Sequence, residues 1–245
     1  MIQELPENPS KILKDAVLAL NKGKYRKSKL LVYIELKKNP NNYFGLCCYA
    51  NSLYYLGGKD NDKIASQYYI KAIKLKPNHP LAHLGLGRLH YTNAVRIHNE
   101  HNMFPDGSNM MFLDELAPEK YFEEKHSIIV KGFADEECGN RELAIMELEK
   151  AAFFISEKEI KVELLNMAAD LKCIINNEEG IKAYKEIIKI DSKNIQSHFN
   201  IAGCYAAIGE KKKAIEEYEF IKIEAPDLIN KLKNIFLKYD LQIKE

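Results

Sequence analysis

Apolar residues recur every three or four positions through most of the 245-residue chain, which is the spacing of amphipathic α-helices. The last segment is a clear example, because Leu232, Ile235, Phe236 and Tyr239 fall on one helical face. Single glycines and prolines, the residues that end helices, stand between the periodic segments. The pattern predicts an all-α protein built from short helices.

A longer period is superposed on the helical one. Residues 176–194 align with residues 210–228 at an offset of 34 positions, so that Tyr184 falls on Tyr218. Three earlier segments repeat the pattern: residues 24–42, 61–79 and 140–158. A second amphipathic helix precedes each of several copies and is predicted to end at a glycine: Gly23, Gly57, Gly139 or Gly209. The repeating unit is therefore a pair of helices.

Each copy carries a small residue that is followed, four positions later, by a bulkier one. The small residues are Ser28, Ala65, Ala144, Gly180 and Ala214. A small side chain lets two helices approach closely, and the bulkier side chain fills the groove between them. Because one pair cannot bury its apolar face alone, neighbouring pairs must stack on each other.

Residues 195–226 resemble the tetratricopeptide repeat. The family usually has tryptophan, leucine, glycine and tyrosine along the first helix, where this chain has His198, Ile201, Ala202 and Tyr205. The resemblance implies a right-handed α-solenoid of about six antiparallel helix pairs with a C-terminal capping helix. The predicted boundaries are a leader at 1–8, an array over 9–228 made of pairs at 9–42, 43–79, 80–124, 125–160, 161–194 and 195–228, and the cap at 229–245.

The period breaks in the third pair. Ala65 and Ala144 are 79 residues apart, which is two periods plus 11 residues. We therefore predict a loop at about residues 101–117, inserted where the second helix of the third pair should be. Pro118 is predicted to open the next helix. Two roles stay open for the loop, since it can pack on the array or bind a partner.

Composition and charge narrow the class of partner. The chain is 46% hydrophobic and 29% charged, as globular proteins are. Its net charge is +1, with +5 in residues 1–40 and −7 in residues 106–150, which favours protein partners over nucleic acid. The chain shows no secretory signal and no apolar run that could span a membrane. Five cysteines without a Cys-x-x-Cys pair favour reduced thiols in the cytoplasm.

Candidate chemistry concentrates in the histidine-rich residues 79–101. His98 and His101 lie one helical turn apart and are candidate metal ligands. No cysteine and no Glu-x-x-His companion lies nearby, so we predict no bound metal. The Gly85-Leu-Gly87 segment lacks the third glycine of a dinucleotide fingerprint, and no nucleophile elbow, zinc-protease or kinase motif occurs. The sequence therefore predicts a protein with no catalytic residues and no cofactor.

In arrays of the family that this chain resembles, the first helix of each pair lines a concave groove. The predicted groove residues are Phe44, Tyr54, Tyr55, Leu84, Arg88, Tyr91, Phe133 and Phe199, and the same register opens Leu13, Val17 and Leu20 to this face. The Lys, Asn and Arg clamp with which some members grip a carboxylate is not matched. We predict a scaffold or adaptor that holds a peptide or helix of a partner protein in an apolar groove.

The alternative is an RNA-binding helical array that uses the basic N-terminal repeat. Its candidate residues are Lys11, Lys14, Lys22, Lys24, Arg26, Lys27 and Lys29. Most of these residues fall on second-helix and turn positions, which favours a solvated outer face instead.

Overall fold

The computed structural model describes residue 6, residues 8–101 and residues 127–243, and for residues 95, 97–101 and 127–138 it describes the backbone alone. The helices in this part of the chain are α1 (Lys11–Asn21), α2 (Tyr25–Lys38), α3 (Tyr43–Leu56), α4 (Lys59–Leu75), α5 (Pro80–His101), α6 (Ser127–Phe154), α7 (Lys158–Ile175), α8 (Asn177–Ile190), α9 (Ile195–Ala207), α10 (Lys211–Glu224) and α11 (Ile229–Lys238). A short 3-10 helix, Pro226–Leu228, precedes α11. Within these ranges there is no strand, which confirms the all-α class. None of these helices combines the length and the hydropathy that crossing a membrane requires.

The helices form two units. Unit 1 comprises residues 1–92 and 146–155, and unit 2 comprises residues 93–145 and 156–245. In unit 1, α1 packs on α2, α2 on α3 and α3 on α4. In unit 2, the same chain of contacts runs from α7 through α8 and α9 to α10. Helices joined by turns of a few residues run antiparallel, so the described helices pack as consecutive pairs, and the predicted solenoid class is confirmed.

The helix ends lie where the glycines and prolines predict them in three pairs. Gly23, Gly57 and Gly209 follow α1, α3 and α9 with φ of 69°, 71° and 77°, a left-handed conformation that costs glycine nothing because it has no Cβ. The second helices α2, α4 and α10 end two residues before Pro40, Pro77 and Pro226. Side-chain caps begin several helices; Ser10 Oγ, for example, accepts a hydrogen bond from Leu13 N at 3.1 Å.

The contact between the two helices of a pair is the one that the small residues predict. Ser28, Ala65, Ala144 and Ala214 are all 0% exposed. At the fifth position, Gly180, an added Cβ would lie 2.7 Å from the Cβ of Cys173 on α7, so even alanine would collide with the neighbouring helix. The bulkier residues that follow four positions later, Val32, Tyr69, Leu148, Tyr184 and Tyr218, are at most 3% exposed.

The third pair differs from its prediction. Helix α6 runs without a break from Ser127 to Phe154, so the predicted helix end at Gly139 is wrong. Gly139 is not among the glycines with positive φ, and a glycine ends a helix only where it takes up that conformation.

The C-terminal part of α6 pairs with α5. His83 Nδ1 on α5 lies 2.5 Å from Glu147 Oε2 on α6, and in the last pair His198 Nδ1 lies 2.6 Å from Glu217 Oε2. In both clamps the other ring nitrogen faces the carbonyl oxygen of the residue six positions earlier. The histidine and glutamate are 19 residues apart in the last pair and 64 apart here. The third pair therefore contains 45 residues (64 less 19) beyond the regular spacing of its two helices.

A second contact supports this pairing. Helices α5 and α6 approach so closely at Gly87 that an added Cβ would lie 2.9 Å from Leu148 Cγ. The two pairs predicted at 80–124 and 125–160 are thus replaced, in the described residues, by one pair that is interrupted by a long insertion. The period misled because 79 residues is also one repeat of 34 plus these 45. Residues 102–126, including most of the predicted loop and Pro118, lie outside the described residues.

The predicted capping helix is present as α11. Leu232 and Phe236 are 0% exposed, and α11 packs on α9 and α10. The ring of Phe236 lies 6.0 Å from that of Tyr218. The amphipathic tail therefore covers the core that the last pair would otherwise expose. The predicted leader at 1–8 lies mostly outside the described residues.

The cysteines differ from prediction at one pair. Cys173 on α7 and Cys204 on α9 form a disulfide, whereas the sequence favours reduced thiols throughout. Spacing along the sequence could not show this, because it is the stacking of two neighbouring pairs that brings positions 31 residues apart together. Cys47 and Cys48 are buried thiols, as predicted.

The buried clamp in unit 1 generates the first testable prediction. Glu147 is 4% exposed and His83 is 3% exposed, so Glu147→Ala leaves a buried imidazole without its partner on α6. We expect the free energy of unfolding to fall by about 2–4 kcal/mol, measured by urea denaturation followed by circular dichroism.

The matched control is Glu217→Ala in the last pair. There the histidine and glutamate side chains are 12% and 20% exposed, so water can replace the lost contact and the loss should be about 1 kcal/mol. An equal or larger loss for Glu217→Ala would contradict the pairing of α5 with α6.

Candidate protein-binding cleft

A cleft opens on unit 1 between α3, α4 and α5. It is lined by Asn51, Tyr54, Tyr55, Tyr69, Leu81, Leu84, Gly85 and Arg88. Its empty space, counted outward to open solvent, is about 370 Å³. Tyr69, Leu84 and Gly85 are buried and form its floor, while the other lining residues are partly exposed.

The floor is set by a close contact between Tyr69 and Gly85. A Cβ added at Gly85 would lie 2.2 Å from Tyr69 Cε1, so the tyrosine ring packs directly on the backbone of α5. The Tyr69 hydroxyl donates a hydrogen bond of 2.6 Å to Asn51 Oδ1 on α3. Burial raises the pKa of Tyr69 well above its ordinary value, so the hydroxyl remains a neutral donor and ties all three helices together.

One wall of the cleft is aromatic. The rings of Tyr54 and Tyr55 meet edge to face at 5.0 Å, and Tyr55 stacks on Tyr25 with centroids 5.0 Å apart. The hydroxyl of Tyr54 lies 2.9 Å from Thr92 Oγ1 on α5. Burial raises the pKa of Tyr55, and the positive charge of Arg88 opposes this rise. These contacts hold the tyrosine rings in fixed orientations at the edge of the cleft.

Unit 2 has a polar cluster at related positions. Tyr184 donates a hydrogen bond to Asp170 Oδ1, and Asn200 Nδ2 donates to Asp170 Oδ1 at 3.0 Å and to Tyr184 Oη at 2.8 Å. Burial raises the pKa of Asp170 to about 6, and the two hydrogen bonds oppose this rise. Here an asparagine side chain stands beside the buried tyrosine, whereas unit 1 has Gly85 in that place.

Comparison with known proteins supports the fold. No family model matches the chain, and no curated protein matches it. The crystal structure of MamA protein aligns over 96% of this chain and 96% of its own, at 14% identity and a TM-score of 0.56. The MamA RS-1 ArsTM double mutant aligns over 92% of this chain and 96% of its own, at 16% identity and a TM-score of 0.57. The chain is a tetratricopeptide-like array in its fold.

A further solved structure is similar over most of its length. TTC0263, a thermophilic TPR protein of Thermus thermophilus, aligns over 92% of this chain and 97% of its own, at 14% identity and a TM-score of 0.49.

The structure brings four of the predicted groove residues to one cleft: Tyr54, Tyr55, Leu84 and Arg88. Phe44 lies elsewhere, because it packs edge to face against Tyr43 and His79 at the start of α3. Tyr91 is partly exposed on α5 but does not line the cleft. That the four residues bind a partner stays a prediction.

Other groove positions were predicted wrongly. Phe199 is 4% exposed in the core of unit 2, and Leu13, Val17 and Leu20 are at most 8% exposed in the core of unit 1. The cause is register, because the first helix of a pair is buried on more than half of its circumference and a shift of one residue exchanges groove for core. The side chains of Phe133, His98 and His101 lie outside the described residues.

Three cleft residues were missed as site residues, although one carried a signal. Glycine inside a helix costs up to about 1 kcal/mol, so Gly85 indicates a place where another group approaches the backbone. Tyr69 and Asn51 carried no such signal, because their contact joins two helices. Among the residues whose side chains are described, no group of three His, Cys, Asp or Glu could hold a metal ion.

The Gly85 contact generates a second prediction. Gly85→Ala would force the Tyr69 ring away from α5 and disturb its bond to Asn51, so we expect a loss of about 1–3 kcal/mol in unfolding free energy by urea denaturation.

Gly203→Ala is the matched control. A Cβ at Gly203 on α9 would meet its nearest atom, Ile235 Cγ2, at an ordinary 3.7 Å. Better helix propensity should therefore leave this variant equal to the parent or up to about 1 kcal/mol more stable. Similar losses in both variants would show that Gly85 has no special packing role.

Asp170 generates a third prediction, on pH. Its pKa rises from 3.8 to about 6 on folding, so the folded chain binds the proton more tightly. Stability from this group is present below about pH 4 and is lost as the pH rises through about 6. Asp170→Asn keeps the acceptor oxygen and cannot titrate. The stability of the parent relative to this variant should fall by about 1–3 kcal/mol between these pH values.

The measurement is urea denaturation of both proteins across this pH range. A difference in stability that stays constant with pH would show that Asp170 does not take up a proton on folding.

Proposed function

We propose that the protein is an interaction scaffold, of the adaptor kind, whose unit 1 cleft binds a segment of a partner protein. The observation that carries this proposal is the convergence of Tyr54, Tyr55, Leu84 and Arg88 on one cleft. The proposal gives the protein a binding role without catalysis, in the cytoplasm, where buried reduced thiols such as Cys47 and Cys48 are stable.

The lining residues are of the kinds that carry binding energy at protein interfaces. Tyrosine and arginine are enriched among the residues whose truncation costs most, because they combine large apolar area with hydrogen-bonding groups. Tyr54 and Tyr55 are already oriented by ring contacts, so little side-chain entropy is lost on binding. Leu84 supplies apolar surface at the floor, where an aromatic or aliphatic side chain of a partner can be buried.

Charge favours an acidic partner segment. Unit 1 carries 16 Lys and Arg against 8 Asp and Glu, a net charge of +8. Of the residues that line the cleft in the described part of the chain, Arg88 alone is charged. A segment with one large apolar side chain flanked by carboxylates would bury the former over Leu84 and place the latter near Arg88. Carboxylates would also be drawn to unit 1 over a distance.

The same charge keeps RNA as the alternative outcome. A polyanion would respond to the whole basic surface, including Lys27 on α2, and would bind with a steep dependence on salt. A protein segment seated in the cleft would depend on Arg88 and Tyr55 far more than on Lys27. The two partners are therefore distinguished by where a charge must be placed.

The fourth prediction uses a labelled synthetic peptide that carries one Phe flanked by Glu residues, with fluorescence anisotropy as the measurement. We expect the peptide to bind the full chain, and a version with Gln in place of Glu to bind about tenfold more weakly. Arg88→Glu and Tyr55→Ala should each weaken binding of the Glu peptide by about tenfold or more, with helicity unchanged by circular dichroism.

Lys27→Glu is the matched control for Arg88→Glu, since it makes the same change in net charge on the exposed face of α2. We expect it to weaken binding by less than about threefold. Equal losses for the two charge reversals, or complete displacement of the peptide by single-stranded RNA, would overturn the cleft assignment and favour a polyanion ligand.

A further inference from the structure

A pair of cysteines ties the first helices of two neighbouring pairs in unit 2. Cys173 on α7 and Cys204 on α9 are joined through their sulfurs, and their Cα atoms are 7.4 Å apart. This separation is wider than the range of about 4.4–6.8 Å that disulfides usually span. Because α8 packs against both helices, the helix packing itself holds the two sulfurs in contact, whether or not they are bonded.

The thiol form is also accommodated at this site. Cys173 Sγ lies 3.4 Å from Asn177 Oδ1 in the first turn of α8, where a thiol can donate a weak hydrogen bond. Cys173 is partly exposed, whereas Cys204 is 6% exposed. A small oxidant can therefore reach Cys173 first, and Cys204 is already in place to react with the product.

A non-covalent tie joins the same two helices one turn earlier. Asp170 on α7 accepts a hydrogen bond of 3.0 Å from Asn200 on α9. Asp170 stands three residues before Cys173, and Asn200 stands four residues before Cys204, so the hydrogen bond and the sulfur contact lie on the same faces. A covalent bond at the second point would fix the stacking of these two helix pairs.

We propose that Cys173 and Cys204 are a reversible, peroxide-responsive dithiol that locks the stacking of the last two helix pairs when it is oxidised. In the first step the Cys173 sulfur attacks the peroxide, the O–O bond breaks, and Cys173 becomes a sulfenic acid as one water forms. In the second step the Cys204 sulfur attacks the sulfenic sulfur, the S–S bond forms, and a second water leaves. Two electrons pass from the two thiols to one peroxide. Thiols of the glutathione class reverse the bond by exchange and are oxidised to their own disulfide.

The chain carries an internal control for thiol reactivity. Cys47 is 1% exposed and Cys48 is 2% exposed, and burial raises the pKa of Cys47 to about 12 and that of Cys48 to about 11. Thiols of this kind hold little thiolate and are poor nucleophiles. They should stay unmodified while the unit 2 pair reacts.

The fifth prediction is tested on the full chain with Cys138→Ser, which removes the remaining cysteine from exchange. Reduced protein is treated with hydrogen peroxide, alkylated, digested and analysed by mass spectrometry. We expect a linked peptide containing Cys173 and Cys204 to appear, Cys47 and Cys48 to be alkylated as free thiols, and a glutathione buffer to remove the link. The oxidised chain should melt about 5–10 °C above the reduced chain, because the bond closes a loop of 31 residues.

Two variants keep the result decisive. Cys204→Ser should leave a sulfenic acid on Cys173 that a dimedone probe captures, whereas Cys173→Ser should leave Cys204 unlabelled. Over-oxidation of Cys173 to sulfinic acid without a link in the parent would overturn the proposal. So would a link that forms but resists the glutathione buffer, because that outcome describes a permanent structural disulfide.

Discussion

Every described pair depends on one steric condition, which is the close approach of its two helices at a residue with almost no side chain. Ser28, Ala65 and Ala214 are fully buried at this point, and at Gly180 even a Cβ would collide with the neighbouring helix. The bulkier residue four positions later can fill the groove only because the backbones are already close. This condition recurs with the repeat, whereas most exposed positions are free to vary, which is why the period survives in a chain that no family model matches.

The candidate cleft follows from the same condition. Tyr69 is the bulky residue of the second pair and also forms the floor of the cleft, so packing and binding surface share one side chain. Gly85 lets that ring reach the backbone of α5, and the missing side chain leaves room for the tyrosine wall and Arg88 to face open space. In unit 2 Asn200 stands beside Tyr184 instead. A polar network there replaces the apolar floor, and the two units present different surfaces from one repeating plan.

The third pair shows how far local contacts alone can maintain a repeat. Helices α5 and α6 are joined by the buried clamp of His83 and Glu147 and by the close contact at Gly87. These contacts specify which faces meet, and they do not depend on the length of chain between the helices. Loop-closure entropy rises only with the logarithm of loop length, so a long insertion costs little stability. The array therefore keeps its stacking in unit 1 despite the break in its period.

The sequence by itself determined the all-α class, the paired helices, the small and bulky positions at their contacts, the ends at Gly23, Gly57 and Gly209, and the capping helix. These features are periodic or local, so they can be identified from the residue order. Only the tertiary structure decided that α6 passes through Gly139 and pairs with α5, that Phe199 belongs to the core, and that Tyr69, Gly85 and Asn51 meet in one cleft. It also decided that Cys173 and Cys204 touch. Each of these depends on contacts between helices that are distant in sequence, and such contacts have no period that the sequence can reveal.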